Sequence, residues 1–130
     1  MIKAVIDTNI LVSGLINPNG NPAKIINMIL NSDINVIYDS RIIEEYYNVL
    51  KRDKFSFSGD LIVPLLEFIQ NEGISVTPGP VKLKFHDTDD KKFYEAALAG
   101  EADFLITGNK KHYPKEKFIV NPAEFLDFCF

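Results

Sequence analysis

The sequence predicts an α/β fold in three layers, α/β/α, with a parallel sheet between two sets of helices and strands in the order 3-2-1-4-5. Three observations lead there. Short β-branched runs alternate with longer segments of helical periodicity along the whole 130 residues. Turn and cap residues punctuate the joins, at Asn21-Pro22, Pro78-Gly79-Pro80 and Asn121-Pro122. No repeat, low-complexity tract or long linker interrupts the alternation, so residues 1–130 read as one domain.

Residues 2–6 are too short and β-branched a run for a helix and read as a buried strand. An apolar segment, 10–16, follows. Asn21 as cap and Pro22 in the first turn open a helix over 23–30. Residues 34–38 form the second strand, and Ser40 caps a helix running to residue 52. Residues 53–57 are a connector carrying Phe55 and Phe57. Ser58 or Asp60 starts the next helix, which ends in the stretch 71–73. The third strand, 74–77, is stopped by Pro78. Asp87 or Thr88 caps a helix reaching Gly100, a residue type suited to a C-terminal stop. Residues 103–106 and 118–120 are the fourth and fifth strands. Asn121, Pro122 and Glu124 then spell cap, first-turn proline and capping-box acid for a last helix.

Strands joined through helices pair in parallel, and right-handed crossovers allow few orders. In the order 3-2-1-4-5 the first and fourth strands are neighbours. Their carboxyl ends border the crevice where the winding reverses, the usual ligand position in such sheets. Asp7 and Asn109, which follow those two strands, face each other across it.

Composition narrows the classes. With 46% hydrophobic residues the chain can bury a core, yet no run approaches the roughly 20 apolar residues that span a membrane. Met1-Ile2-Lys3 leads straight into a strand, without the layout of a secretory signal, and the expected location is the cytoplasm. Cys129 is the single cysteine, which leaves no partner for an internal disulfide and no cysteine-based zinc site. The net charge of −4 argues against a polyanion partner, but its distribution does not. Eight lysines (Lys82, Lys84, Lys91, Lys92, Lys110, Lys111, Lys115 and Lys117) crowd the last third beside Asp87, Asp89 and Asp90. Such lysines either form a solvated surface or hold a phosphate backbone beside an acidic pocket.

The acids divide by position. Asp7 is a helix cap by local sequence and a site residue by its place at the crevice. Glu44 shares a polar helical face with Arg41, Asn48 and Lys51. Glu45 instead lies along the apolar stripe of Ile42, Tyr46 and Val49, where a carboxylate is costly without a cation. On the next helix Phe93, Ala96, Ala97 and Gly100 mark the buried side. Asp90 points broadly inward, Asp89 lies near the same face, and Asp87 fits the cap. Two carboxylates about 5 Å apart at an effective dielectric near 20 repel by roughly 3 kcal/mol. A converging set therefore calls for a hard divalent cation, and all-oxygen donors suit Mg²⁺ or Mn²⁺ better than zinc.

These blocks, in this order and length, resemble the PIN-domain ribonucleases over essentially the whole chain. Val5-Ile6-Asp7-Thr8-Asn9 is similar to that family's opening strand and first acid. The helix containing Glu45-Tyr46 resembles the carrier of the second, and Asp87-Thr88-Asp89-Asp90 before Phe93 resembles the third, placing it at Asp90. Ala102-Asp103-Phe104-Leu105-Ile106-Thr107-Gly108-Asn109 resembles the closing block, the most specific of the four. The resemblance implies hydrolysis of RNA by water activated at Mg²⁺ or Mn²⁺. Asp7, Glu45 and Asp90 would be catalytic and metal-holding, with Asn109 as a further metal donor. Thr8, Asn9, Asp87, Asp103 and Thr107 would support them, and Lys110, Lys111, His112 and Tyr113 would contact RNA, Tyr113 by stacking on a base. Asn109 departs from the family, which often has aspartate there: the amide keeps an oxygen but no charge. The resemblance further implies the toxin of a toxin–antitoxin pair, with an antitoxin protein as partner and a homodimer as assembly.

Two rivals compete. A phosphorylation-type receiver has similar length and fold, but residues 74–77 offer no phospho-accepting aspartate. A catalytically weak PIN-like module that binds RNA or protein is supported by Asn109 alone. His86 and His112 read as surface residues.

Overall fold

A computed structural model describes residues 1–82, 85 and 88–130. Five strands, β1 (Ile2–Ile6), β2 (Ile34–Tyr38), β3 (Ile74–Ser75), β4 (Phe104–Ile106) and β5 (Ile119–Val120), pair in parallel in the order β3-β2-β1-β4-β5. This is the order expected from the alternation. Six helices accompany them: α1 (Thr8–Ile16), α2 (Asn21–Leu30), α3 (Ser40–Leu50), α4 (Gly59–Glu72), α5 (Lys91–Ala99) and α6 (Pro122–Cys129). α5 packs on β1, β2 and β4, whereas α2 packs on β2, α4 and α6. Right-handed crossovers put these two groups on opposite faces, giving the three-layer arrangement.

The central strand β1 is the most deeply covered, with Ala4, Val5 and Ile6 fully buried between the helical layers. β4 pairs with it through Val5 opposite Leu105 and Ile6 opposite Ile106. The next residues in register are Asp7 and Thr107, so two polar side chains meet where the apolar ladder ends. The short outer strands β3 and β5 leave little open edge.

Several helix ends differ from expectation by one residue, each for a visible reason. The α2 cap is Gly20, with Asn21 and Pro22 already in the first turn. The α3 cap is Asp39, whose Oδ1 accepts from the Ile42 N–H at 3.0 Å, so Ser40 is the first helical residue. Residues 88–90 form a 3₁₀ turn that feeds α5, and Asp90 sits at the α5 cap position without a side-chain capping bond. Asp87, expected as a cap and supporting residue, and His86 lie outside the described residues. Ser58 caps α4, and Asn121 with Glu124 closes the reciprocal capping box of α6.

The end of α5 is the instructive case. Ala102 N–H bonds the Ala97 carbonyl and Glu101 N–H bonds that of Leu98, the paired bonds of a Schellman turn. The left-handed position in that turn is Glu101, φ 50°, not Gly100, φ −91°. Gly100 is needed for space instead: a Cβ there would lie 2.8 Å from Ile37 Cγ2 and 2.9 Å from its Cδ1. The glycine lets α5 settle onto β2.

Candidate functional site

Asp7 leaves β1 at the N-cap position of α1, yet its side chain makes no capping bond. Its Oδ2 turns across the sheet instead, accepting from Thr107 Oγ1 at 2.7 Å and from the Tyr113 hydroxyl at 3.0 Å. Asp7 is 5% exposed. Burial raises its carboxyl above the ordinary aspartate value, the Thr107 and Tyr113 hydroxyls partly offset this, and the Glu45 charge adds to the rise.

Glu45 is held beside it from two directions. Thr8, the residue after Asp7, donates its hydroxyl to Glu45 Oε2. Tyr46, fully buried, donates its hydroxyl to the carbonyl of Ile6, the residue before Asp7. Neighbouring residues of α3 thus grip the two sides of Asp7 and set where Glu45 lies. The division expected between Glu44 and Glu45 is observed: Glu44 is exposed and Glu45 is half-buried at the crevice. Lys92, early in α5, places Nζ 2.6 Å from Glu45 Oε1.

Asp90 stands where the 3₁₀ turn enters α5, with Oδ2 3.2 Å from His112 Nδ1. Asp89 is exposed beside it. The three acids act together on Tyr113. Burial first, then the charges of Asp7, Asp90 and Glu45, push that phenol far above its ordinary range. Asp7 and Glu45 likewise add to the burial that holds the Tyr46 phenol up.

Other expected site residues sort by position. Thr8 and Thr107 bond the acids directly. Asn9 Oδ1 accepts from the Gly108 N–H at 3.3 Å, tying the start of α1 to the loop after β4, and within that loop the Asn109 N–H donates to Thr107 Oγ1 at 3.0 Å. Asp103 is not at the site. It precedes β4, at the opposite end of the strand, and accepts from the Lys3 N–H at 2.9 Å. Tyr113 cannot stack on a base: its ring is 6% exposed and packs edge-on against Phe85. Lys110 is committed to Glu124 at 2.9 Å, whereas Lys111 is exposed.

Three contacts of the site do not follow from the sequence: Lys92 against Glu45, and, for two residues expected only as RNA contacts, His112 against Asp90 and Tyr113 as a donor to Asp7. Each joins elements that local periodicity treats separately. The one sequence signal is for Lys92, two residues after Asp90 and next to the core residue Phe93, so that its stem starts at the edge of the buried face.

The donor types suit a hard divalent cation, being carboxylate, hydroxyl and amide oxygens. Their arrangement is a separate matter. Among the described residues no three His, Cys, Asp or Glu side chains are set close enough to form a ready-made metal cage. Asp7 meets the neutral hydroxyls of Thr107 and Tyr113, Asp90 the ring of His112, and Glu45 the ammonium of Lys92, so each acid already has a partner within the protein.

A parallel three-layer sheet with a buried aspartate at its switch point, and Glu45 tied to the residue beside it, defines an α/β protein with an acidic ligand crevice at that sheet edge. Residues 3–111 match the model of the PIN domain, and the chain belongs to that family. PIN domains are generally nucleases that use divalent metal ions. The chain is also 34% identical over 112 residues to an uncharacterized protein of Methanocaldococcus jannaschii, a match covering 84% of this chain and 72% of that relative. Among the described residues no helix is long and apolar enough to cross a membrane.

Proposed function

We propose that this protein is an endoribonuclease that hydrolyses RNA phosphodiester bonds with Mg²⁺ or Mn²⁺ held by Asp7, Glu45 and Asp90. The observation that supports this best is the buried Asp7 carboxylate at the β1–β4 crevice, bonded by Thr107 and Tyr113, with Glu45 of a distant helix tied to the adjacent Thr8. A divalent ion there supplies a Lewis acid for the phosphate and lowers the pKa of water.

The chain's own groups have distinct tasks. Thr107 and Tyr113 hold the Asp7 carboxylate in one orientation, and Thr8 does the same for Glu45. The Asn109 side chain contributes a neutral oxygen at the rim. A cavity of about 510 Å³ is lined by Tyr113, by Lys110, Lys111, Lys115 and Lys117 and by one acid, Glu116, a mainly basic wall suited to a phosphodiester backbone. The family resemblance read from the sequence suggests a narrower reading, a toxin whose cleavage an antitoxin protein restrains; a neighbouring gene product that binds the protein and stops cleavage tests it.

A second reading, an RNA-binding module that does not cut, is favoured by Asn109 in place of a fourth acid and by the pairing of Glu45 with the Lys92 ammonium. Purified protein, single-stranded RNA and Mn²⁺ separate the two. Cleavage that Asp7→Asn and Glu45→Gln abolish without unfolding supports hydrolysis. Binding without cleavage supports the module, and equal cleavage by parent and variants overturns the site.

A further inference from the structure

We propose that Lys92 is the resident counter-ion of Glu45 and competes with a divalent cation for that carboxylate. The inference rests on the metal-dependent reading above. It starts from the way Glu45 is used: Oε2 takes the Thr8 hydroxyl and Oε1 takes the Lys92 ammonium at 2.6 Å. Both oxygens are occupied.

The two partners differ in what an arriving cation does to them. A hydroxyl donor tolerates a metal on the same carboxylate, because the oxygen keeps another lone pair and Thr8 carries no charge. An ammonium does not, since its charge repels the ion with nothing between them. Lys92 is held where that conflict is strongest. Its side chain is 13% exposed, its Nζ also bonds the Asp89 carbonyl at 2.5 Å, and the ammonium stands 5.2 Å from the centre of the Phe93 ring. This is an ordered, partly desolvated cation beside an acid assigned to the metal.

The same geometry gives the ammonium a way out. Lys92 and Glu45 both line an open groove of about 460 Å³, walled further by Arg41 and Arg52 and by the acids Glu44 and Asp89. The flexible four-carbon stem lets the charge swing into that groove while the backbone of α5 stays in place. In the groove the ammonium is clear of Glu45, where a phosphate oxygen of the substrate can meet it. Lys92 thus keeps the acids folded without metal and weakens metal binding by the free enzyme.

The test measures metal binding and folding, not cleavage. Calorimetric titration of the full chain with MnCl₂ compares the parent with Lys92→Met and Lys92→Arg. Lys92→Met should bind Mn²⁺ about tenfold more tightly, while Lys92→Arg stays near the parent. In EDTA, Lys92→Met should melt below the parent, and adding Glu45→Gln should restore the missing stability, because the stranded carboxylate is then neutral. Should Lys92→Met fail to fold in EDTA, the parent supplies the readout. The ¹⁵N signal of the Lys92 ammonium should be sharp without metal and should broaden or vanish on saturation with MgCl₂.

Equal or weaker Mn²⁺ affinity in Lys92→Met, or an ammonium signal unmoved by Mg²⁺, overturns the competition and leaves the metal-dependent reading standing. Failure of parent and variant alike to bind Mn²⁺ overturns both. Tighter binding by Lys92→Met in a protein that cuts no RNA keeps the competition and removes the proposed hydrolysis.

Discussion

The hydroxyl of Tyr113 hydrogen-bonds the carboxylate of Asp7 at 3.0 Å, across 106 residues of sequence. Both groups are buried, so this bond and that of Thr107 carry much of the burden of keeping a carboxylate out of water. Replacing Tyr113 with Phe removes one donor and keeps the ring packing against Phe85. Hydrogen bonds to the charged form lower a carboxyl pKa, so Asp7 should then be raised further. Expected outcomes are a loss of about 1–3 kcal/mol in urea unfolding at neutral pH and an acid limb of RNA cleavage displaced to higher pH. A pH–rate profile of Tyr113→Phe that overlays the parent would separate Tyr113 from the site.

Asp7→Asn should divide stability from activity. A raised folded-state pKa means that the folded protein holds the Asp7 proton more tightly than the unfolded chain does. Stability from this group therefore falls as pH rises from the unfolded value, 3.8, through the raised folded value, and the full penalty remains above it. Asparagine keeps an oxygen for Thr107 and Tyr113 without the charge. At pH 7 and without metal, Asp7→Asn should match the parent or exceed it by roughly 1 kcal/mol, and the advantage should vanish on acidification. Cleavage should be abolished throughout. Chemical denaturation across the pH range checks the sign: an advantage that grows toward low pH would contradict it.

Arg41 is a structural cation just outside the site. Its guanidinium bridges Asp39 at 2.6 Å and Glu95 at 2.8 Å, both acids being buried. Burial alone would raise Glu95, but Arg41 and the Val81 N–H together hold it below its ordinary value. Its contribution is present above the unfolded value, 4.5, and is lost as pH falls through the lower folded one. Arg41→Met strands two acids where α3 approaches α5. Because the guanidinium is itself half-exposed, the cost should be about 2–3 kcal/mol at pH 7, toward the low end for a broken buried pair. The difference from the parent should shrink in acid; a cost independent of pH would indicate poorer packing instead.

What the sequence discloses follows from the range of the forces involved. Strand order, the crevice and the places of Asp7 and Glu45 were legible because period and punctuation are local, and crossover handedness turns them into topology. Caps were legible only to within a residue: Asp39 and Ser40 are both good caps, and the bond to Ile42 decides between them. Gly100 carried the right stop signal for a different reason, contact with Ile37. Lys92, His112 and Tyr113 stayed hidden because their partners lie on other elements. A long side chain reveals no destination through its spacing alone.

The lysine path beside Tyr113 gives the last prediction, one about binding. Lys111, Lys115 and Lys117 line it, and among the described residues none of the three is in a salt bridge, unlike Lys110 with Glu124. Ammonium groups along a groove lined in part by Tyr113 can neutralise successive phosphates of a bound strand. Asp7→Asn, unable to cut, is the background for measuring this with single-stranded RNA at several salt concentrations. Adding Lys115→Ala and Lys117→Ala should weaken binding alike for different sequences. It should also flatten the dependence of log affinity on log salt by about 0.7 for each phosphate that is no longer neutralised. Lys110→Ala should leave that slope unchanged and instead loosen the start of α6, because its charge already belongs to Glu124. If the slope falls for Lys110 and holds for the other two, the strand does not run along Lys115 and Lys117.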